Sequence, residues 1–135
     1  MPDDLSTLEA ERTKLLEGLL ALSDLRPGSI TAVTRRCGKA SCHCAQPHDS
    51  GHDPQFRLTR RVAGKTVTET FPNPAALRKA QREVAEFHRF QKLSQELIAL
   101  NEKICRLRPV APQRGGWTEQ EKKRLLQSIR RWRGK

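Results

Sequence analysis

Between Cys37 and Cys44 the chain reads Cys-Gly-Lys-Ala-Ser-Cys-His-Cys, with His48 and His52 just beyond. Three of the four cysteines and three of the four histidines therefore fall in one short stretch, spaced C-x4-C-x-C-x3-H-x3-H. Thiolate and imidazole are the donors of a tetrahedral zinc site. Thiolates crowded this closely repel one another unless a cation neutralises them. Gly38, directly after the first cysteine, lets the backbone turn sharply and aim its N–H groups at sulfur. A chain that converges on an ion at this point has little choice about how its middle folds.

Cys37, Cys42 and Cys44 are assigned as three ligands of Zn2+, and His52 as the fourth with His48 in reserve. His43, between two ligands, is expected to point away. Four protein ligands close the shell, and a closed shell is structural, since catalytic zinc keeps a position open for water. A disulfide is set aside because no secretory signal is evident and cytosolic thiols stay reduced. The expected location is cytoplasmic.

Aromatic residues make up only 4% of the 135 residues, so the apolar core is small and a metal would compensate for it. The net charge of +11 favours a polyanionic partner, DNA or RNA contacted through its backbone. No apolar run approaches the roughly 20 residues of a membrane span, and no membrane partner is expected.

Residues 3–26 carry Leu5, Leu8, Leu15, Leu19 and Leu22 on a heptad seam and are expected to form a helix that Pro27-Gly28 ends. Asp3 and Asp4 suit its N-terminal dipole. A strand over 29–35 leads into Cys37. A second strand, Gln55–Val62, puts Phe56, Leu58 and Val62 on one face and Arg57, Thr59 and Arg61 on the other. Ala63-Gly64 turns into a third strand over 65–71, with Val67 and Phe71 inward and Gly64 left-handed in a bulged hairpin. Asn73-Pro74 is a cap followed by a first-turn proline, opening a helix that runs to about Arg108. Its apolar stripe has two phases, Leu77-Ala80-Val84-Phe87 and Phe90-Leu93-Leu97-Leu100-Ile104-Leu107, joined by a stammer. The first helix is too short to cover the whole stripe. The second phase is thus expected to meet a second copy or another protein. Beyond Pro109, Pro112 and Gly115-Gly116, a basic helix is expected from Trp117 to about Arg133, with Thr118 and Glu121 as a capping box. Its Trp-Thr-Glu-Gln-Glu opening resembles the first helix of a Myb repeat, but the other two helices do not follow.

The expected fold is α+β: an antiparallel, coiled-coil-like pair of long helices with an inserted three-stranded zinc-stabilised β-sheet, and a short basic C-terminal helix. Residues 1–109 form the helix–zinc hairpin–helix unit, with the insert at 28–72. Residues 110–135 form a flexible joint and the basic helix.

The middle of the chain resembles a family of small, uncharacterised bacterial proteins whose pattern is CGKxxCxC, a later His closely followed by Pro, a strand, then GK-T and a long helix. Cys37-Gly38-Lys39, Cys42, Cys44, His52 with Pro54, and Gly64-Lys65-Thr66 carry the likeness, over roughly residues 28–107. The resemblance favours His52 over His48. The family's usual strand tyrosines are absent, and Phe56 stands alone there. The family's association with mobile elements, transposases and integrases implies a setting and not an activity.

The chain contains no tyrosine, which excludes a tyrosine recombinase or relaxase. It has no Gly-rich phosphate loop, and no trio of acids suggests a two-metal site. The expected function is therefore that of a zinc-stabilised nucleic-acid-binding accessory protein, not an enzyme. It would assist a mobile-element enzyme such as a recombinase or transposase, or a ribonucleoprotein. Phosphate contacts are assigned to Arg35, Arg36, Lys39, Arg57, Arg60, Arg61 and Lys65 around the hairpin. Lys122, Lys123, Arg130, Arg131 and Arg133 supply a second patch on the last helix. The alternatives are a protein-interaction adaptor working through the long helices and, less well supported, a metal-dependent nuclease.

Overall fold

The computed structural model describes residues 4–134. Helix α1 spans Leu5–Leu20, and the Asp4 carboxylate caps it by accepting the Thr7 N–H at 2.7 Å. Asp3 lies outside the described residues. The helix stops short of the expected residue 26 because the following segment finds other partners. The Ser23 N–H and hydroxyl both donate to Glu86, and the Arg26 N–H donates to the Glu83 carbonyl. Residues 21–28 thus run as a connector tied to a neighbouring helix at Ser23 and Arg26, where backbone N–H groups find partners outside a helix of their own.

Three strands follow in the order β1 (Ser29–Val33), β2 (Gln55–Val62) and β3 (Lys65–Thr70), all antiparallel. Val62 pairs directly with Lys65, and Ala63 (φ 49°) and Gly64 (φ 80°) are both left-handed. The hairpin therefore closes in two residues without the expected bulge, at the cost of holding an alanine at positive φ.

Only the centre of the sheet is covered. Leu58 is fully buried, and Gly28 lies so close that a Cβ there would sit 2.6 Å from Leu58 Cδ1. Phe56, Val62 and Val67, expected to face inward, remain about two-fifths exposed. The flanking helix packs against β1 and leaves the outer hairpin in solvent, with every residue of β3 exposed.

Helix α2 spans Pro74–Leu107. The Asn73 side chain accepts the Ala76 N–H at 2.9 Å, and Pro74 occupies the first turn as expected. Leu8 is buried against Leu100 and Ile104, with Leu5 and Leu15 packed around them. Glu9 pairs with Arg108, Arg12 donates to Asn101, and Gly18 lies beside Leu93. The short α1 thus packs on part of the second apolar phase of α2, at Leu100 and Ile104, while Leu107 of the same phase stays about half exposed. Ala80 and Val84, of the first phase, are buried along the stretch that Arg26 reaches through Glu83. Phe90 stays partly exposed.

Helix α3 spans Glu119–Arg133, and its Thr118–Glu121 capping box is formed in both directions. Among the described residues no other element packs closely against it, and Trp117, Leu125, Leu126, Ile129 and Trp132 are all exposed. No described helix is long and apolar enough to cross a membrane.

Candidate metal centre

Strand β1 carries the chain to Arg35, whose carbonyl accepts the His52 N–H at 2.9 Å as the chain returns towards β2. Gly51 makes that crossing possible. Its φ of 95° is left-handed, and a Cβ would stand 3.0 Å from the Arg35 carbonyl oxygen. Between these points lies a series of tight turns. The Cys42 N–H donates to the Lys39 carbonyl, a 3-10 turn spans His43–Ala45, and the Asp49 N–H donates to the Gln46 carbonyl. Gly38, at φ 80°, supplies the reversal after Cys37.

These turns bring one donor atom each from Cys37, Cys42, Cys44 and His52 to within 4.8 Å of one another. Cys37 Sγ lies 3.5 Å from Cys44 Sγ, and Cys42 Sγ lies 3.5 Å from His52 Nε2. Tetrahedral bonds of about 2.0–2.3 Å require donor separations of about 3.3–3.8 Å, which these two pairs meet, so the cluster is compatible with a metal site. Cys44 is almost fully buried, Cys42 and His52 are half-buried, and Cys37 is exposed. The Cys37 N–H donates to Cys44 Sγ at 3.3 Å, the backbone-to-sulfur bond that steadies a thiolate. His48 is exposed and not among the four.

The thiols are electrostatically unequal. A backbone N–H from Lys39, helped by the sulfurs of Cys42 and Cys44, holds Cys37 below the usual thiol range. Cys42 receives a backbone N–H from Cys44, but the neighbouring sulfurs of Cys37 and Cys44 push it up. Ionising all three together needs a cation between them.

Two supporting residues were not legible in the ligand spacing. The His43 ring does point away from the donors, and its Nδ1 lies 2.9 Å from the Asp49 carboxylate, which also accepts the Gly51 N–H. That partnership raises the His43 pKa and lowers that of Asp49. The same ring meets the His52 ring edge to face, with centroids 4.9 Å apart. The second is Arg36, read from sequence as a phosphate contact. Its guanidinium donates to the carbonyls of Cys44 (2.7 Å), Gln46 (3.1 Å) and Asp49 (3.0 Å), binding the loop to the strand that leads into it.

Arg36→Lys should therefore speed metal loss, because one ammonium cannot reproduce a planar fork spanning three carbonyls. By analogy with other supporting contacts, a roughly 10- to 100-fold weaker site is expected, read by competition with a chromophoric chelator. Unchanged release would show that the carbonyl contacts do not hold the donors in place.

The other assigned basic residues are dispersed. Arg35 and Lys39 are exposed beside the loop. Arg57 is half-buried and donates to Gln55 Oε1, while its Nε is buried without a partner. Arg61 and Lys65 are exposed near the hairpin turn. Arg60 pairs opposite Val67 and, by strand alternation, shares the face of Leu58 and not that of Arg57 and Arg61. On α3, Lys122 bonds Glu119, and Lys123, Arg130, Arg131 and Arg133 are exposed.

No curated protein and no solved structure matches the chain. A family match covers residues 5–82, from the start of α1 through the metal loop and the whole sheet to the first turns of α2. It begins earlier and ends sooner than the likeness read over 28–107, which takes the N-terminal helix into the shared unit and leaves α3 outside it. On that match the chain belongs to the family defined by the domain of unknown function DUF6788.

Proposed function

We propose that this protein is a zinc-stabilised nucleic-acid-binding accessory protein in which the metal braces a basic hairpin. The observation that carries the structural role of the metal is the donor set itself, three cysteines and one histidine converging as four ligands. Zn2+ bound there would neutralise the thiolates and cross-link the two ends of the loop, with no position left for a reacting water. Arg35, Lys39, Arg61 and Lys65 then project from a stiffened scaffold, which loses little entropy on binding. In this proposal α1 and α2 form an antiparallel, coiled-coil-like stem. The order of their contacts supports it, since Glu9, Arg12 and Gly18 meet Arg108, Asn101 and Leu93 in descending order. The proposed setting is cytoplasmic, beside a mobile-element enzyme or a ribonucleoprotein. Its support is the CGKxxCxC resemblance.

Affinity for DNA or RNA measured against salt tests this. Each lost phosphate contact should lower the slope of log K against log salt by about one. Arg61→Ala with Lys65→Ala, and separately removal of residues 114–135, should each flatten it with little dependence on sequence. A second reading, a protein-interaction adaptor, draws on an apolar groove along α2 whose lining includes Leu97, Ile98 and Cys105. Absence of salt-dependent binding by the wild type would favour that reading instead.

A further inference from the structure

A second concavity lies away from the metal, where the start of β1 and the turn end of β2 approach α2. The groove has a volume of about 600 Å3, and its lining includes Ser29, Thr59, Arg60, Arg61, Phe87 and Gln91. Its chemistry is unusual for this surface in three respects. No carboxylate lines it. The acids around it are already engaged: Glu69 by Arg26, Glu83 by Lys79 and Arg26, and Glu86 by Ser23 and Arg89. Among the described residues Arg60 and Arg61 have no ion-pair partner, so their charge is surplus at the mouth of the groove. Finally, one wall is aromatic in a chain that has very few aromatic residues. Phe87 is half-buried and tilted against Phe90, with centroids 6.2 Å apart, and Phe90 is itself partly exposed.

We propose that this groove is a binding site for single-stranded nucleic acid, taking phosphate at Arg60 and Arg61 and a base against Phe87. The proposal rests on the nucleic-acid reading above and names the strand state it requires. Duplex bases are stacked on each other and cannot lie on a protein ring, whereas every unpaired base has a free face for one. A duplex would need only charge on an open surface. A recess that combines unneutralised guanidinium groups, hydroxyls, a side-chain amide and an aromatic wall suits one exposed nucleotide better. The placement of Arg60 on the face opposite Arg57 also finds a purpose here. By alternation Arg60 and Arg61 belong to opposite faces of β2, yet both line this groove near the hairpin turn.

The test uses the full chain and fluorescein-labelled oligothymidylate and oligouridylate, each compared with a blunt duplex of equal length at one salt concentration. Tighter binding of either single strand than of the duplex, by about tenfold or more, is expected. Gln91→Glu places a negative charge in the groove from an exposed position, where it should leave the thermal midpoint unchanged. It should weaken single-strand binding about tenfold and duplex binding much less. Phe87→Leu, which retains apolar bulk, should reduce the preference in the same direction. The groove assignment is overturned, and the broader nucleic-acid reading kept, if wild type binds single strand and duplex equally with a normal salt slope. Undiminished single-strand affinity in Gln91→Glu overturns the groove assignment in the same way. If wild type binds none of the probes, both fall.

Discussion

Replacing Cys44 with serine is expected to abolish stoichiometric metal binding and to unfold residues 29–70, the largest effect of any single substitution in this chain. Cys44 is the almost fully buried donor, and its sulfur touches both the Cys37 sulfur and the Cys37 N–H. Little else holds this part of the chain. Leu58 is the only buried side chain in the three strands, and Phe56, Val62 and Val67 leave much of their surface in water. Structural zinc contributes an apparent ~10–16 kcal/mol in small metal-folded domains. Whole domains are stable by only about 5–15 kcal/mol, so a sheet with this little core has no reserve. Elemental analysis should give one zinc per wild-type chain and none for the variant. The cross-strand amides of β1 and β2 should lose protection from exchange. A metal-free wild type with the sheet intact would refute the expectation.

Ile104→Ala should destabilise the helical part by about 2–5 kcal/mol, the range for emptying a fully enclosed aliphatic site. Ile104 is 1% exposed and is enclosed with Leu8 and Leu100 between α1 and α2. Ile98 lies on the same helix with 62% of its surface exposed, and Ile98→Ala should change stability by no more than about 0.5 kcal/mol. Denaturant unfolding of the two variants side by side makes the comparison internal, because both lose the same atoms from the same helix. Equal destabilisation would mean that α1 does not bury Ile104 in solution.

Much of the local structure was legible because its causes are local. Asn73-Pro74 and Thr118 with Glu121 start helices through groups within one turn of each other, and the sequence shows both partners. The Cys and His spacing similarly pointed to Cys37, Cys42 and Cys44 as converging donors, with His52 ahead of His48 on the family resemblance. What stayed hidden depends on distant partners. Nothing near Ser23 reveals that Glu86 will satisfy its N–H, so the leucine seam of α1 reads on as far as Pro27. Nothing in the stripe on α2 tells which phase α1 will choose. Alternation marked Leu58 as inward, and it is buried, but Phe56 and Val62 of the same expected face stay about two-fifths exposed, and only the three-dimensional arrangement shows that the helix leaves β3 uncovered. Arg36 illustrates the same limit in chemical terms: its charge suggested phosphate, whereas the structure commits its guanidinium to three carbonyls of its own loop.

The contact between α1 and α2 and the turns around the four donors also differ in the lengths of chain they close. Cys42 and His52 are 10 positions apart, whereas Glu9 and Arg108 are 99 positions apart. The entropic cost of closure rises with the logarithm of the intervening length, so the donors meet far more readily than the helices. Once they have met and the hairpin has paired, the middle of the chain no longer behaves as a free tether. Its two exits, at Ser29 and Thr70, are held at a set separation by neighbouring strands. The helices then search over a much shorter effective loop, and an ion held by the four donors would act at a distance as the hinge-pin of a contact that it does not touch.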